Sequence, residues 1–161
     1  MALRLAVLTI SDAGSRGERK DASGDHIASW AKERGYTVAQ RTLIPDDTVR
    51  ITAQLAEWCD GDVADLILTT GGTGLTQRDV TPEATLAVLD KEAPGIAEAL
   101  RYAAYPRFPR AALSRGVAGV RGKTLVVNLP GSPGGVRDGL EVLSGLVEHA
   151  VELVRESRTE H

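Results

Sequence analysis

The chain has one cysteine, Cys59, so no disulfide can form within it, and that usage suits a reducing cytoplasm. Its three histidines (His26, His149 and His161) are scattered, and no Cys/His spacing resembles a zinc site. Aromatic residues make up only 4%, and Tyr102, Tyr105 and Phe108 lie beside prolines in no nucleic-acid-reading pattern, which argues against nucleic acid as a partner. The longest uncharged apolar run, Leu5 to Ile10, is far short of the roughly 20 residues of a membrane helix. It is followed at once by polar SDAGSRGERKD, so it reads as a buried strand and not as a secretory leader. Against these absences stand 42% hydrophobic and 25% charged residues over 161 positions, the profile of one globular domain across residues 1–161. No acid occurs between Ala99 and Arg137, where Arg101, Arg107, Arg110, Arg115, Arg121, Lys123 and Arg137 supply seven cations on a chain of net charge −3. That asymmetry suits either a site for an anionic ligand or a solvated basic face.

Strand-like and helix-like segments alternate. Leu3–Ile10, Tyr36–Ile44, Asp65–Thr70 and Thr124–Leu129 read as strands, with Val117–Arg121 as a shorter one. Between them, Ser23 is positioned to cap a helix carrying Ile27, Trp30 and Ala31, and Asp46 or Asp47 to cap one carrying Ile51, Leu55 and Trp58. Thr81-Pro82-Glu83 opens a helix toward Asp90, and Pro94 opens another. Ser132-Pro133 begins a long helix with an apolar stripe from Val136 to Val154. The alternation predicts an α/β sandwich, a mostly parallel sheet with helices on both faces. Ligands then belong at the carboxyl ends of the strands, in loops 11–23, 45–47, 71–80 and 130–135.

The stretch TTGGTGLTQRDVTPE, Thr69 to Glu83, is the most informative. Its glycines let the backbone approach a ligand, and successive N–H groups in such a turn form an anion-binding nest. A P-loop is excluded because no lysine follows, and a dinucleotide fingerprint would need glycine at Gln77. Asp79 beside a phosphate nest calls for a metal or another cation between the two. A second glycine turn follows Asn128, the only asparagine, and leads into the helix that starts at Ser132. Asn128 then either contacts a ligand through its amide or satisfies its own turn. Asp46, and likewise Ser11-Asp12, follow strand ends; for Asp46 a helix cap is the competing role. Cys59 reads as a small core residue, and no Ser/His/Asp triad can be drawn on these loops.

TTGGTGLTQRDVTPEAT (69–85), with TISD (9–12), LIPDD (43–47), APG (93–95), LSR (113–115) and NLPGSP (128–133), resembles the MogA/MoaB family of molybdenum cofactor biosynthesis over nearly the whole chain. The resemblance implies a three-layer αβα fold, trimeric in many members and hexameric in some. It also implies molybdopterin adenylyltransferase activity, in which Mg-ATP and molybdopterin give adenylylated molybdopterin and pyrophosphate, ready for hand-over to a molybdenum-insertion enzyme. By position, Asp46 and Asp79 match the family's two important acids, with Mg²⁺ near Asp79, and Gly71, Gly72, Thr73 and Gly74 match its nucleotide-binding turn. Ser11, Asp12, Ser114, Asn128, Gly131 and Ser132 match the substrate cleft, while Gln77 stands where many members carry proline or arginine. The chemistry suits these residues: a terminal phosphate is already an oxyanion nucleophile, so positioning and charge neutralisation suffice. A silent molybdopterin carrier and a pyrophosphatase of the competence-damage type are the other readings. The RDVTPEA continuation and the short chain speak against the second.

Overall fold

The computed structural model describes residues 2–156. In chain order the elements are β1 (Arg4–Ile10), α1 (Asp12–Ser15), α2 (Ala22–Glu33), β2 (Thr37–Ile44), α3 (Thr48–Asp60), β3 (Leu66–Thr70), α4 (Thr81–Leu86) and β4 (Lys91–Glu92). These are followed by α5 (Pro94–Ala104), a short 3-10 helix (Pro109–Leu113), β5 (Ala118–Arg121), β6 (Thr124–Leu129), α6 (Pro133–Ser144) and α7 (Val147–Arg155). No described helix is long and apolar enough to cross a membrane.

The six strands form one sheet in the order β2-β1-β3-β6-β5-β4. The first four are parallel, and β5 and β4 add on antiparallel to their neighbours. The expected sandwich is therefore what forms, with a mixed edge. Apolar runs in β1, β3 and β6 are continuous because helices cover both faces, so alternate side chains enter different cores. Leu5, Val7, Leu66, Leu68 and Leu125 pack with α2, α6 and α7, whereas Ala6, Leu8, Ile10 and Ile67 pack with α3 and α4. Edge strand β2 is half exposed and keeps Arg41 on its surface, a charge that discourages pairing with another chain.

Several local expectations are corrected. Asp21 caps α2 through Gly24 N–H, and Ser23 sits inside the helix, donating its hydroxyl to Gly131 O at 2.8 Å. Asp47, not Asp46, caps α3 by accepting from Arg50 N–H. Thr81 is the first residue of α4, which has no side-chain cap, and its hydroxyl donates to Gly71 O at 2.9 Å; α4 stops at Leu86, well before Asp90. The long C-terminal helix is two, α6 ending at Ser144 and α7 starting at Val147, with non-helical Gly145 and Leu146 between them. The basic segment is also divided. Arg121 turns to the amino edge of the sheet, forming a bidentate pair with Asp60, so it and Lys123 lie at the edge away from the glycine turns.

Candidate active site

Four loops meet at the carboxyl edge of the parallel strands. The glycine turn after β3 adopts a backbone open only to glycine in practice: φ is 100° at Gly71 and 69° at Gly72. A Cβ on Gly71 would strike the Ile10 carbonyl, and one on Gly72 would strike Thr81 Oγ1. Every carbonyl of the turn is engaged. Gly71 O accepts from Thr81 Oγ1, Gly72 O from Thr81 N–H at 3.1 Å, Thr73 O from Arg115 N–H at 2.8 Å, and Gly74 O from Arg115 Nε at 2.8 Å. Among the described residues, the N–H groups of Gly72, Thr73 and Gly74 donate to no protein acceptor. Carbonyls tied back and amides left over make a preformed donor nest.

Two carboxylates border this turn. A Cβ on Gly72 would stand 2.9 Å from Asp46 Oδ1, and one on Gly74 would stand 2.8 Å from Asp79 Oδ2. Asp79 Oδ2 accepts from Thr76 N–H at 2.9 Å and Thr76 Oγ1 at 2.8 Å, which folds its loop back on itself. Asp46 is locked reciprocally to Asp12: Asp12 N–H donates to Asp46 Oδ2 at 2.9 Å, and Asp46 N–H to Asp12 Oδ1 at 3.0 Å. Arg78 grips Asp12 with two hydrogen bonds of 2.9 and 3.0 Å, holding that carboxyl below its ordinary range. Burial pushes the Asp46 carboxyl upward, and the charges of Asp12 and Asp79 push it further, while Asp12 N–H and Arg78 oppose them. Asp12 is thus a brace for Asp46 in this arrangement. Arg78 was not singled out from the sequence, although it stands in the quoted RDVTPEA run.

The turn after β6 packs backbone to backbone against the first, since a Cβ on Gly131 would lie 3.3 Å from Gly71 Cα. Ser132 caps α6 by accepting from Gly135 N–H at 3.1 Å. Asn128 is buried, and both its amide hydrogens are committed internally, to Thr69 Oγ1 at 2.9 Å and Thr85 Oγ1 at 3.1 Å, while its Oδ1 accepts from Val117 N–H. The Asn128 amide therefore ties β3 and α4 to β6, and the residue also borders the first cavity. Ser11 caps α1, accepting from Gly14 N–H at 3.0 Å, and Ser114 Oγ accepts from Gly116 N–H at 3.3 Å.

Two cavities open on either side of these turns. The first, of about 650 Å³, is walled by Leu100, Phe108 and Leu113 and reaches Thr73, Gly74, Ser114 and Asn128. The second, of about 620 Å³, holds Ser11, Asp46 and Gly71, with Arg19 and Lys20 at its rim. Gly72, Asp79, Gly131 and Ser132 line both. Arg101 and Arg110 belong to the first wall, so two cations of the basic segment do face the cleft. Among the described residues no three His, Cys, Asp or Glu side chains gather into a metal cage. A hard divalent cation needs only one or two carboxylates when ligand phosphates complete its shell, and Asp46 with Asp79 fits that requirement.

Such an edge, with donor nest, paired acids and two adjoining cavities, has the form of an anion-binding site at the carboxyl end of a parallel α/β sheet. The family described as "Probable molybdopterin binding domain" matches residues 6–149, and the chain belongs to it. The molybdopterin adenylyltransferase of Helicobacter pylori J99 is 37% identical over 154 residues, covering 94% of this chain and 88% of that protein. The Drosophila melanogaster molybdenum cofactor synthesis protein cinnamon is 39% identical over 153 residues, but this chain spans only 26% of its length. The crystal structure of the molybdopterin biosynthesis enzyme MoaB from Thermus thermophilus superposes with a TM-score of 0.90 at 49% identity, covering 95% of this chain and 96% of that one.

Proposed function

We propose that this protein is a molybdopterin adenylyltransferase. It transfers AMP from ATP to the terminal phosphate of molybdopterin. A phosphate oxygen bonds to the α-phosphorus of ATP, the α–β anhydride bond breaks, and pyrophosphate leaves with the bonding pair. A phosphate monoester is already anionic near neutral pH, with its second pKa about 6, so no base has to deprotonate it. That agrees with a cleft lined by no histidine.

The observation that carries this reading is the donor nest of Gly72–Gly74, which lines the first cavity and reaches the second at Gly72, beside the shared Asp79. Two ligands occupying separate chambers would bring their phosphates together there, where fixed N–H donors face the charge that develops in transfer. Asp46 and Asp79 would hold Mg²⁺, and that ion supplies neutralisation of the triphosphate and of the departing pyrophosphate. Burial and like charge make Asp46 costly to ionise alone, which a cation beside it would relieve. Arg101 and Arg110 on one wall and Arg19 and Lys20 on the other add to the attraction for anions.

The same reading takes residues 1–161 as one molybdopterin-binding domain working in the cytoplasm as a homo-oligomer, most simply a trimer, and delivering its product to a molybdenum-insertion enzyme. ATP labelled at the α-phosphate tests the transfer. Label should appear on molybdopterin only when protein, ATP and pterin are all present. Label recovered solely as free AMP would reject it.

A further inference from the structure

Ser114 and Gly116 line the first cavity, but Arg115 between them lines neither. Its side chain turns away, under the loop joining β3 to α4. Nε donates to Gly74 O at 2.8 Å, one terminal nitrogen to Asp79 O at 2.8 Å, and the other to both Glu83 carboxylate oxygens at 2.8 and 2.9 Å. Its own N–H holds Thr73 O at 2.8 Å. Arg101 fixes this anchor from behind, donating to Ser114 O at 3.2 Å and Gly116 O at 2.9 Å. One residue therefore grips the loop at its start, at its end and at the helix beyond, and Glu83 balances its charge.

We propose that Arg115 is a positioning residue: it clamps the Thr73–Asp79 loop so that the amide nest in the first cavity and Asp79 between the two cavities keep a fixed geometry, and it makes no contact with ligand phosphate. The planar guanidinium is required because three donors must point at once in a fixed fork. A lysine ammonium offers equal charge but cannot span Gly74, Asp79 and Glu83 together. The inference rests on the adenylyltransferase reading for its kinetic consequence, but not for its structural one.

The test uses the full chain with Arg115→Ala, Arg115→Lys and Glu83→Gln. Hydrogen exchange, read without any ligand, should accelerate about tenfold or more in Arg115→Ala at the Thr76, Asp79 and Thr81 amides, whose hydrogen bonds close the loop, and stay unchanged in β6. In pterin-dependent pyrophosphate release, kcat should fall about 10²-fold, as expected for ångström-scale misplacement, with KM for ATP near the wild-type value. Arg115→Lys should recover little of either, and added guanidinium should restore part of the Arg115→Ala rate. Glu83→Gln, which leaves the other grips in place, should loosen the same loop to a smaller degree and serves if Arg115→Ala does not fold. A raised KM with unchanged kcat, full recovery by lysine, or wild-type exchange in the loop would each overturn the clamp. If the wild-type protein transfers no adenylyl group, the functional reading fails while the exchange result still decides the clamp.

Discussion

A methyl group at position 72 would be built on a backbone with φ of 69°, directly against Thr81 Oγ1 and 2.9 Å from Asp46 Oδ1. The left-handed backbone costs an alanine about 1–2 kcal/mol. Overpacking against Thr81, which is fully buried, adds about 1–3 kcal/mol. Gly72→Ala should therefore lose about 2–5 kcal/mol, a large share of the roughly 5–15 kcal/mol that holds a domain together. Thr81→Ala on its own should cost about 1–2 kcal/mol by leaving Gly71 O without its donor. In the double variant the closest collision is gone and only the 2.9 Å approach to Asp46 Oδ1 is left, so its loss should fall short of the summed single losses by about 1 kcal/mol or more. Urea unfolding of the wild type and the three variants supplies the cycle, and ATP calorimetry on each reports the site. Strict additivity, or a Gly72→Ala protein with wild-type midpoint and affinity, would refute the steric reasoning.

Further outcomes follow from the acids. Asp79→Asn keeps an oxygen for the Thr76 contacts and Asp46→Asn keeps one for Asp12 N–H; each should fold normally yet lose turnover by about 10²-fold, or roughly 2.7 kcal/mol, and ATP affinity should fall less; near-normal transfer by either variant removes its role. Asp47→Ala should cost about 1 kcal/mol in melting experiments with unchanged turnover, because Asp47 is the cap of α3, whereas Asp46→Asn should leave stability near wild type. Asp62 is held at about 2 by Arg155 and Arg4, below its ordinary 3.8. A depressed acid stabilises the fold above its unfolded pKa and loses that contribution as pH falls through its folded value. The wild type should therefore lose stability between about pH 4 and pH 2 more steeply than Asp62→Asn, and identical acid titrations would contradict the pairing.

The sheet was legible because its signal is local and repeated. β1, β3 and β6 are apolar on both faces, and helices such as α3 carry Ile51, Leu55 and Trp58 on one buried face. The loops that carry the glycines, Asp46 and Asp79 could be found by strand-end position alone. What was not legible depends on partners distant in sequence. Ser23 and Thr81 look like caps by type, but their hydroxyls are taken by Gly131 and Gly71 across the fold. Asp46 and Asp47 are equal candidates for a cap until Asp12, 34 residues away, claims the first. The basic segment reads as one patch, yet Arg115 grips a loop, Arg121 pairs with Asp60 at the opposite edge, and Arg101 and Arg110 line the first of the two cavities. Two-residue β4 carries too little pattern to stand out, and the split between α6 and α7 turns on Gly145-Leu146 inside an unbroken apolar stripe.

The central claim is that two ligands meet on the Gly72–Gly74 rim and exchange an adenylyl group. Pyrophosphate release from Mg-ATP, followed with and without molybdopterin, tests it most directly. The account predicts release that depends on the pterin and matches the adenylylated product one for one. Release without pterin would instead mark a hydrolase, and no release with both ligands bound would mark a carrier; either result would contradict the account.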